Sequence, residues 1–134
     1  MRLVALGIAG VTWTLLASAA YAQESQSELL ERLDEAVVFL SERLPFQVDL
    51  TTRLIAISRE GRTLVYRYQV DWVPRRSLEA HGAVLGRRTC SNRQLFNLMS
   101  IGGAVRYSYE LMESGQQVVH EITLDDCVGN EISL

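Results

Sequence analysis

The sequence predicts an α+β domain. The order is an N-terminal helix, a β-hairpin, a helical segment and a second β-hairpin (α-ββ-α-ββ), with an antiparallel sheet packed on helices. Three observations carry this expectation. Between residues 25 and 44, Leu29, Leu33, Ala36, Val37, Leu40 and Leu44 recur at spacings of three and four and so share one helical face. Leu64, Tyr66, Tyr68, Val70 and Trp72 alternate with Thr63, Val65, Arg67, Gln69 and Asp71, the period of a strand with one side buried. Val105, Tyr107, Tyr109 and Leu111, then Val118, His120, Ile122 and Leu124, repeat that alternation on either side of Glu113-Ser114-Gly115. Hairpins separated by helices argue an α+β domain with an antiparallel sheet.

The chain opens with Arg2, an apolar run over residues 3–16 and then ASAAYA before Gln23. Ala20 and Ala22 fit the small-x-small rule, so residues 1–22 are expected to be a signal peptide cleaved after Ala22, with residues 23–134 forming one domain. The run is shorter than the roughly 20 residues that span a bilayer, so no integral span is expected after cleavage. Ser25 and Glu28 form a capping-box pattern at the start of the first helix, and Glu28 with Arg32 an i,i+4 pair on its wet side. Pro45 stops that helix and pushes Leu44 toward extended backbone. Residues 53–59 and the strand from Thr63 then make a hairpin about Glu60-Gly61, and Pro74 ends it. Ser77 and Ser91 are candidate N-caps for two helical pieces meeting near Cys90, stopped by Gly102-Gly103.

Composition excludes several classes. The formal net charge is −3 and all 13 basic residues are Arg, with Arg75-Arg76 and Arg87-Arg88 as isolated pairs, too little for nucleic acid. Two His and two Cys do not supply the ligand spacing of a metal site, and Gly102-Gly103 lacks the pattern and the Lys of a phosphate loop. No nucleophile elbow surrounds any Ser, and no cofactor is expected. In an exported chain an even pair of cysteines reads first as a disulfide, Cys90–Cys127. Closing a loop of roughly 38 residues, it is worth roughly 4 kcal/mol in the chain-entropy model. A redox or nucleophilic thiol is the alternative; it needs a neighbouring base or a CxxC spacing. Asp125-Asp126 is expected to cap the last strand beside Cys127.

Two groups of residues are candidate sites. In LPFQVDLTTRL, Pro45, Phe46, Asp49, Thr52 and Arg53 make either a structural joint or part of a partner surface. In the joint, Phe46 and Val48 pin the linker to the core, and Asp49 accepts a hydrogen bond from the backbone near Thr51 as in an Asx turn. Tyr66, Tyr68, Trp72, Tyr107 and Tyr109 form either aromatic core or the lining of a ligand groove.

LPFQVDLTTRL, GRTLVYRYQV, a single Cys before a short helix, GGAVRYSYEL and ITLDDC occur in that order. Together they resemble a widespread group of small exported bacterial proteins whose pattern is LP-x-x-VD-x-x-T-x-L, paired Y-x-Y strands and two Cys. The resemblance covers nearly all of residues 23–134 and implies architecture and export, not chemistry. The chain departs from it in the seven residues after Cys127. The expected function is therefore that of a periplasmic or secreted, disulfide-stapled, non-catalytic protein that binds another envelope or secreted protein as an accessory factor, assembly factor or inhibitor. The competing classes are a carrier using the aromatic stripes and, behind it, a hydrolase using His120 with a carboxylate.

Overall fold

The structure, a computed structural model, describes residues 12–131, with side chains described for residues 25–129. Helix α1 (Thr12–Ser41) leads to a two-residue strand β1 (Phe46–Gln47), then β2 (Thr52–Glu60) and β3 (Thr63–Val70). Three helices follow, α2 (Arg75–Ala80), α3 (Gly82–Ser91) and α4 (Arg93–Ser100), then β4 (Ala104–Leu111), β5 (Gln117–Ile122) and α5 (Leu124–Glu131). The fold is α+β, with one sheet of five strands in the order β1-β2-β3-β4-β5.

The hairpins form as their alternation dictates. β2 and β3 pair antiparallel around Gly61, whose φ of 60° is the left-handed conformation that glycine adopts at least cost. β4 and β5 pair antiparallel with Tyr107 opposite His120. The sheet differs from the expected all-antiparallel one at its centre, where β3 and β4 run parallel from Thr63↔Ala104 to Val70↔Leu111. A parallel pair needs a long crossover, and residues 71–103 with their three helices provide it.

All five helices serve one two-layer arrangement. α1 buries Leu29 and Leu33 against Ile57, Leu64 and Leu98. The helices of the crossover and α5 cover Val70, Val105, Tyr107, Tyr109 and Leu111 through Leu78, Leu85, Met99 and Cys127. The other sheet face carries an exposed ion network: Arg106 reaches Glu60 at 2.7 Å and Glu121 at 3.1 Å, and Arg67 reaches Glu60 at 3.3 Å.

Several local expectations are corrected. The helix does not begin at Ser25, which lies inside α1, because the alanine-rich residues before it are good helix formers. It ends at Ser41, short of Leu44. The signal-peptide reading falls partly on α1 and partly, for residues 1–11, outside the described residues. The helical region after β3 is three helices, not two. Ser77 and Ser91 cap none of them: Pro74 precedes α2, and the Asn92 side chain accepts from the Leu95 N–H at the head of α4. Asp125-Asp126 opens a helix instead of capping a strand. Asp126 accepts from the Thr123 N–H at 2.8 Å, which caps α5 and carries Leu124 and Cys127 into it.

Candidate functional site

The stretch from Leu44 to Leu54 folds as a small edge hairpin. After a cis Leu44–Pro45 bond, Phe46 and Gln47 pair with Leu54 and Arg53. The Val48 N–H donates to the Thr52 carbonyl at 2.9 Å. Inside the turn, one oxygen of Asp49 accepts from the Thr51 N–H at 2.8 Å and from its hydroxyl at 3.0 Å. This is the Asx turn the residue types call for. The Thr51 N–H bond, aided by that hydroxyl, holds the Asp49 carboxyl below its usual range although the slight burial opposes this. Gln47 closes the back of the turn with its amide on the Asp49 and Thr52 carbonyls. Thr52 is buried in β2, Arg53 reaches Gln69 across the sheet at 3.4 Å, and Pro45 is exposed.

Leu44 and Leu54 pack against the core, but Phe46 and Val48 do not pin the hairpin to it as expected. Phe46 is 52% exposed, Val48 49% and Leu50 100%. The two-residue strand supplies too little surface to cover them, and the polar bonds of the turn hold the backbone instead.

Trp72 is likewise misplaced by the strand pattern. β3 ends at Val70, and Trp72 has a φ of 61° and is 83% exposed. Pro74 explains the early ending: it has no N–H for a strand and restricts the residue before it. The Asp71 N–H donates to the Thr51 carbonyl at 2.8 Å. That bond extends the β2–β3 pairing by one residue, so the segments carrying Leu50 and Trp72 leave the sheet at the same end, on adjacent strands. An exposed aromatic in a left-handed conformation carries backbone strain, which concentrates at functional positions.

The remaining aromatic candidates stack on one another. Tyr68 lies on Tyr109 at 4.7 Å between ring centroids and Tyr66 on Tyr107 at 5.3 Å. Tyr107 and Tyr109 are buried, Tyr66 and Tyr68 half-buried. Burial raises all four hydroxyl pKa values, that of Tyr109 to about 12. The Tyr107 hydroxyl meets the Thr89 hydroxyl at 2.6 Å, and Thr89 donates to the Leu85 carbonyl at 2.6 Å, which leaves Tyr107 as the donor of the pair. The rings fill the interior under α3, and Trp72 is not among them.

His120 sits beneath α2 and α3. Its Nε2 meets the Leu78 carbonyl at 2.7 Å and so donates there. Its ring packs against Gly82, where an added Cβ would lie 2.7 Å from Nδ1, so glycine is required by the close approach. His81 faces the edge of Tyr109 at 6.5 Å, and burial, then Arg88, lowers its pKa. Cys90 in α3 and Cys127 in α5 are joined, with 5.3 Å between their Cα atoms. Among the described residues no group of three or more His, Cys, Asp or Glu is placed to hold a metal ion, and no helix is long and apolar enough to cross a membrane.

One feature escaped sequence reasoning. Val38 and Phe39 of α1 are 65% and 59% exposed. The signal was the run Val37-Val38-Phe39-Leu40: four successive residues sweep roughly 300° of a helix, more than one buried face accommodates.

No family model matches the chain, and neither does any curated protein. Among solved structures, a Pseudomonas aeruginosa protein described as secreted is similar, with a TM-score of 0.69 and 18% identity over 77% of this chain and 96% of that one. EpsS, a pilotin of the Vibrio vulnificus type 2 secretion system, has a TM-score of 0.66 and 16% identity over 78% of this chain and 96% of its own. The Vibrio cholerae type II secretion pilotin AspS has a TM-score of 0.63 and 16% identity over 78% and 97%. Each neighbour is covered almost whole, so what the chain shares with them is a complete fold.

Proposed function

We propose that this chain is an exported, disulfide-stapled, non-catalytic protein that binds another protein of the bacterial envelope as an assembly or accessory factor. One observation carries the reading: Phe46, Val48, Leu50 and Trp72 hold large apolar surface out in water at one end of the sheet. Exposed apolar residues gathered on a hydrogen-bonded turn mark an interaction site, where aromatic anchors contribute most. In this reading Asp49 sets the turn and Phe46, Leu50 and Trp72 make the contacts. Residues 1–22 direct export and are removed after Ala22, and the bridge between Cys90 and Cys127 fits the oxidising compartment beyond the inner membrane. The pilotin fold of two neighbours is consistent with work in envelope assembly.

Against the enzyme reading stands His120, whose Nε2 is committed to a backbone carbonyl and whose Nδ1 edge packs against Gly82. Against the carrier stands the Tyr66–Tyr107 and Tyr68–Tyr109 stacking, in which the rings occupy the space a ligand would need. Affinity capture from an envelope extract tests the proposal, using residues 23–134 beside Leu50→Asp and Trp72→Asp. A partner retained by the parent and lost from both variants supports it. Equal capture by all three refutes the assignment of this surface.

A further inference from the structure

On a different face, α1 presents an apolar surface that no element covers among the described residues. Val38 and Phe39 lie on a shallow, nearly flat stretch of the α1 surface, termed the groove, that runs along the helix from Ser27 to Glu42. A second hollow of about 410 Å³ lies between α1 and α4, and Glu35 and Phe39 line both. The groove is lined by four carboxylates, Glu31, Asp34, Glu35 and Glu42, and, among the described residues, by no cation. Asp34 is held by Arg59 at 2.6 Å, while Glu31, Glu35 and Glu42 make no ion pair among the described residues. The Arg43 guanidinium lies 5.4 Å from the centre of the Phe39 ring.

We infer that this groove docks a basic segment of a protein partner, one that sets a large apolar side chain against Phe39 and places Arg or Lys along the Glu31–Glu35–Glu42 rim. The inference rests on the reading of the chain as a protein-binding module and adds a second surface to it. The charge pattern selects the occupant. An acidic rim repels nucleic acid and anionic lipid headgroups, and a two-fold pairing of this face with its own copy would oppose like charges. A cationic segment gains from all three free carboxylates, and an Arg can bond a carboxylate bidentately while its stem covers Val38. The fifteen-residue rise from Ser27 to Glu42 makes the groove about 22 Å long, enough for four helical turns.

The test is fluorescence anisotropy of residues 23–134 with a labelled amphipathic peptide of leucine and lysine, beside twins in which lysine is replaced by glutamine or by glutamate. The lysine peptide is expected to bind at low salt, at least tenfold more tightly than either twin, and to weaken as salt rises. Phe39→Ala should weaken binding about tenfold. Replacing Glu31, Glu35 and Glu42 together by Gln should do the same and flatten the salt dependence. Removing three charges elsewhere, by Glu79→Gln, Glu113→Gln and Asp125→Asn, should leave the affinity within twofold, as should Leu50→Asp. All these side chains are exposed, and an unchanged urea midpoint verifies folding. Absence of binding, or binding indifferent to Phe39→Ala, overturns the inference. Loss with Leu50→Asp alone overturns it too, and transfers the docking to the other surface. Sedimentation showing self-association abolished by Phe39→Ala would make a second copy the occupant and would also contradict it.

Discussion

Asp49 illustrates how one side chain sets a surface without touching a partner. Its carboxylate takes two bonds from Thr51 and fixes the turn that exposes Leu50. Asp49→Ala is expected to cost about 0.5–2 kcal/mol, as lost caps do, toward the lower end because the site is wet; the urea midpoint measures it. Since folding depresses this pKa from its ordinary 3.8, the stabilisation is full above that value and is lost as pH falls through the folded one. Between pH 5 and pH 3 the parent should therefore lose more stability than Asp49→Ala does. Trp72 gives the opposite expectation. Its φ of 61° is one a glycine adopts freely, so Trp72→Gly should leave the urea midpoint unchanged or raise it while abolishing partner capture. A clear drop in the midpoint would make Trp72 a packing residue. Gly82→Ala should cost about 1–3 kcal/mol, because its Cβ would collide with the His120 ring that Leu78 holds in place.

Among the elements, those with a strict period were legible in the sequence. Val105, Tyr107, Tyr109 and Leu111 are all buried as their alternation requires, and Leu29 and Leu33 face the sheet as their helical spacing requires. The Asx turn was legible too, because Asp followed by two Thr offers its own backbone bonds. What was not legible had no local signature. The parallel β3–β4 register is set by a crossover of some thirty residues, and no residue within either strand encodes it. Strand β1 is two residues long, below what a pattern can reveal. Trp72 fits the alternation by position, and only Pro74 beyond it argues that the strand has ended. The pairing of Cys90 with Cys127 ties α3 to α5, the last element of the described chain. Reduction should cost roughly 2–5 kcal/mol, the range for native bridges in small secreted domains. Thiol titration of denatured, unreduced protein should find no free thiol. Two free thiols would remove the staple and return the cysteines to candidate chemistry.

At the scale of the molecule, one sheet face is open and largely polar while helices cover the other, and exposed apolar residues cluster at two places, with Val119 and Val128 standing singly elsewhere. One is the sheet end with Phe46, Leu50 and Trp72; the other is the outer face of α1 with Val38 and Phe39. Such surface has a cost in solubility that a monomer without a partner has no reason to keep. Export is part of the same account, and intact-mass measurement of protein from the native host should give a chain beginning at Gln23. The measurement that bears most directly on the central claim is photo-crosslinking in intact cells, with the photoreactive residue placed in turn at positions 50 and 72 and, as a control, at exposed position 93 of α4. The account predicts one discrete envelope protein joined from both 50 and 72 and absent from 93. A folded, exported protein that gives no adduct at either position, or the same adducts from all three, would contradict it.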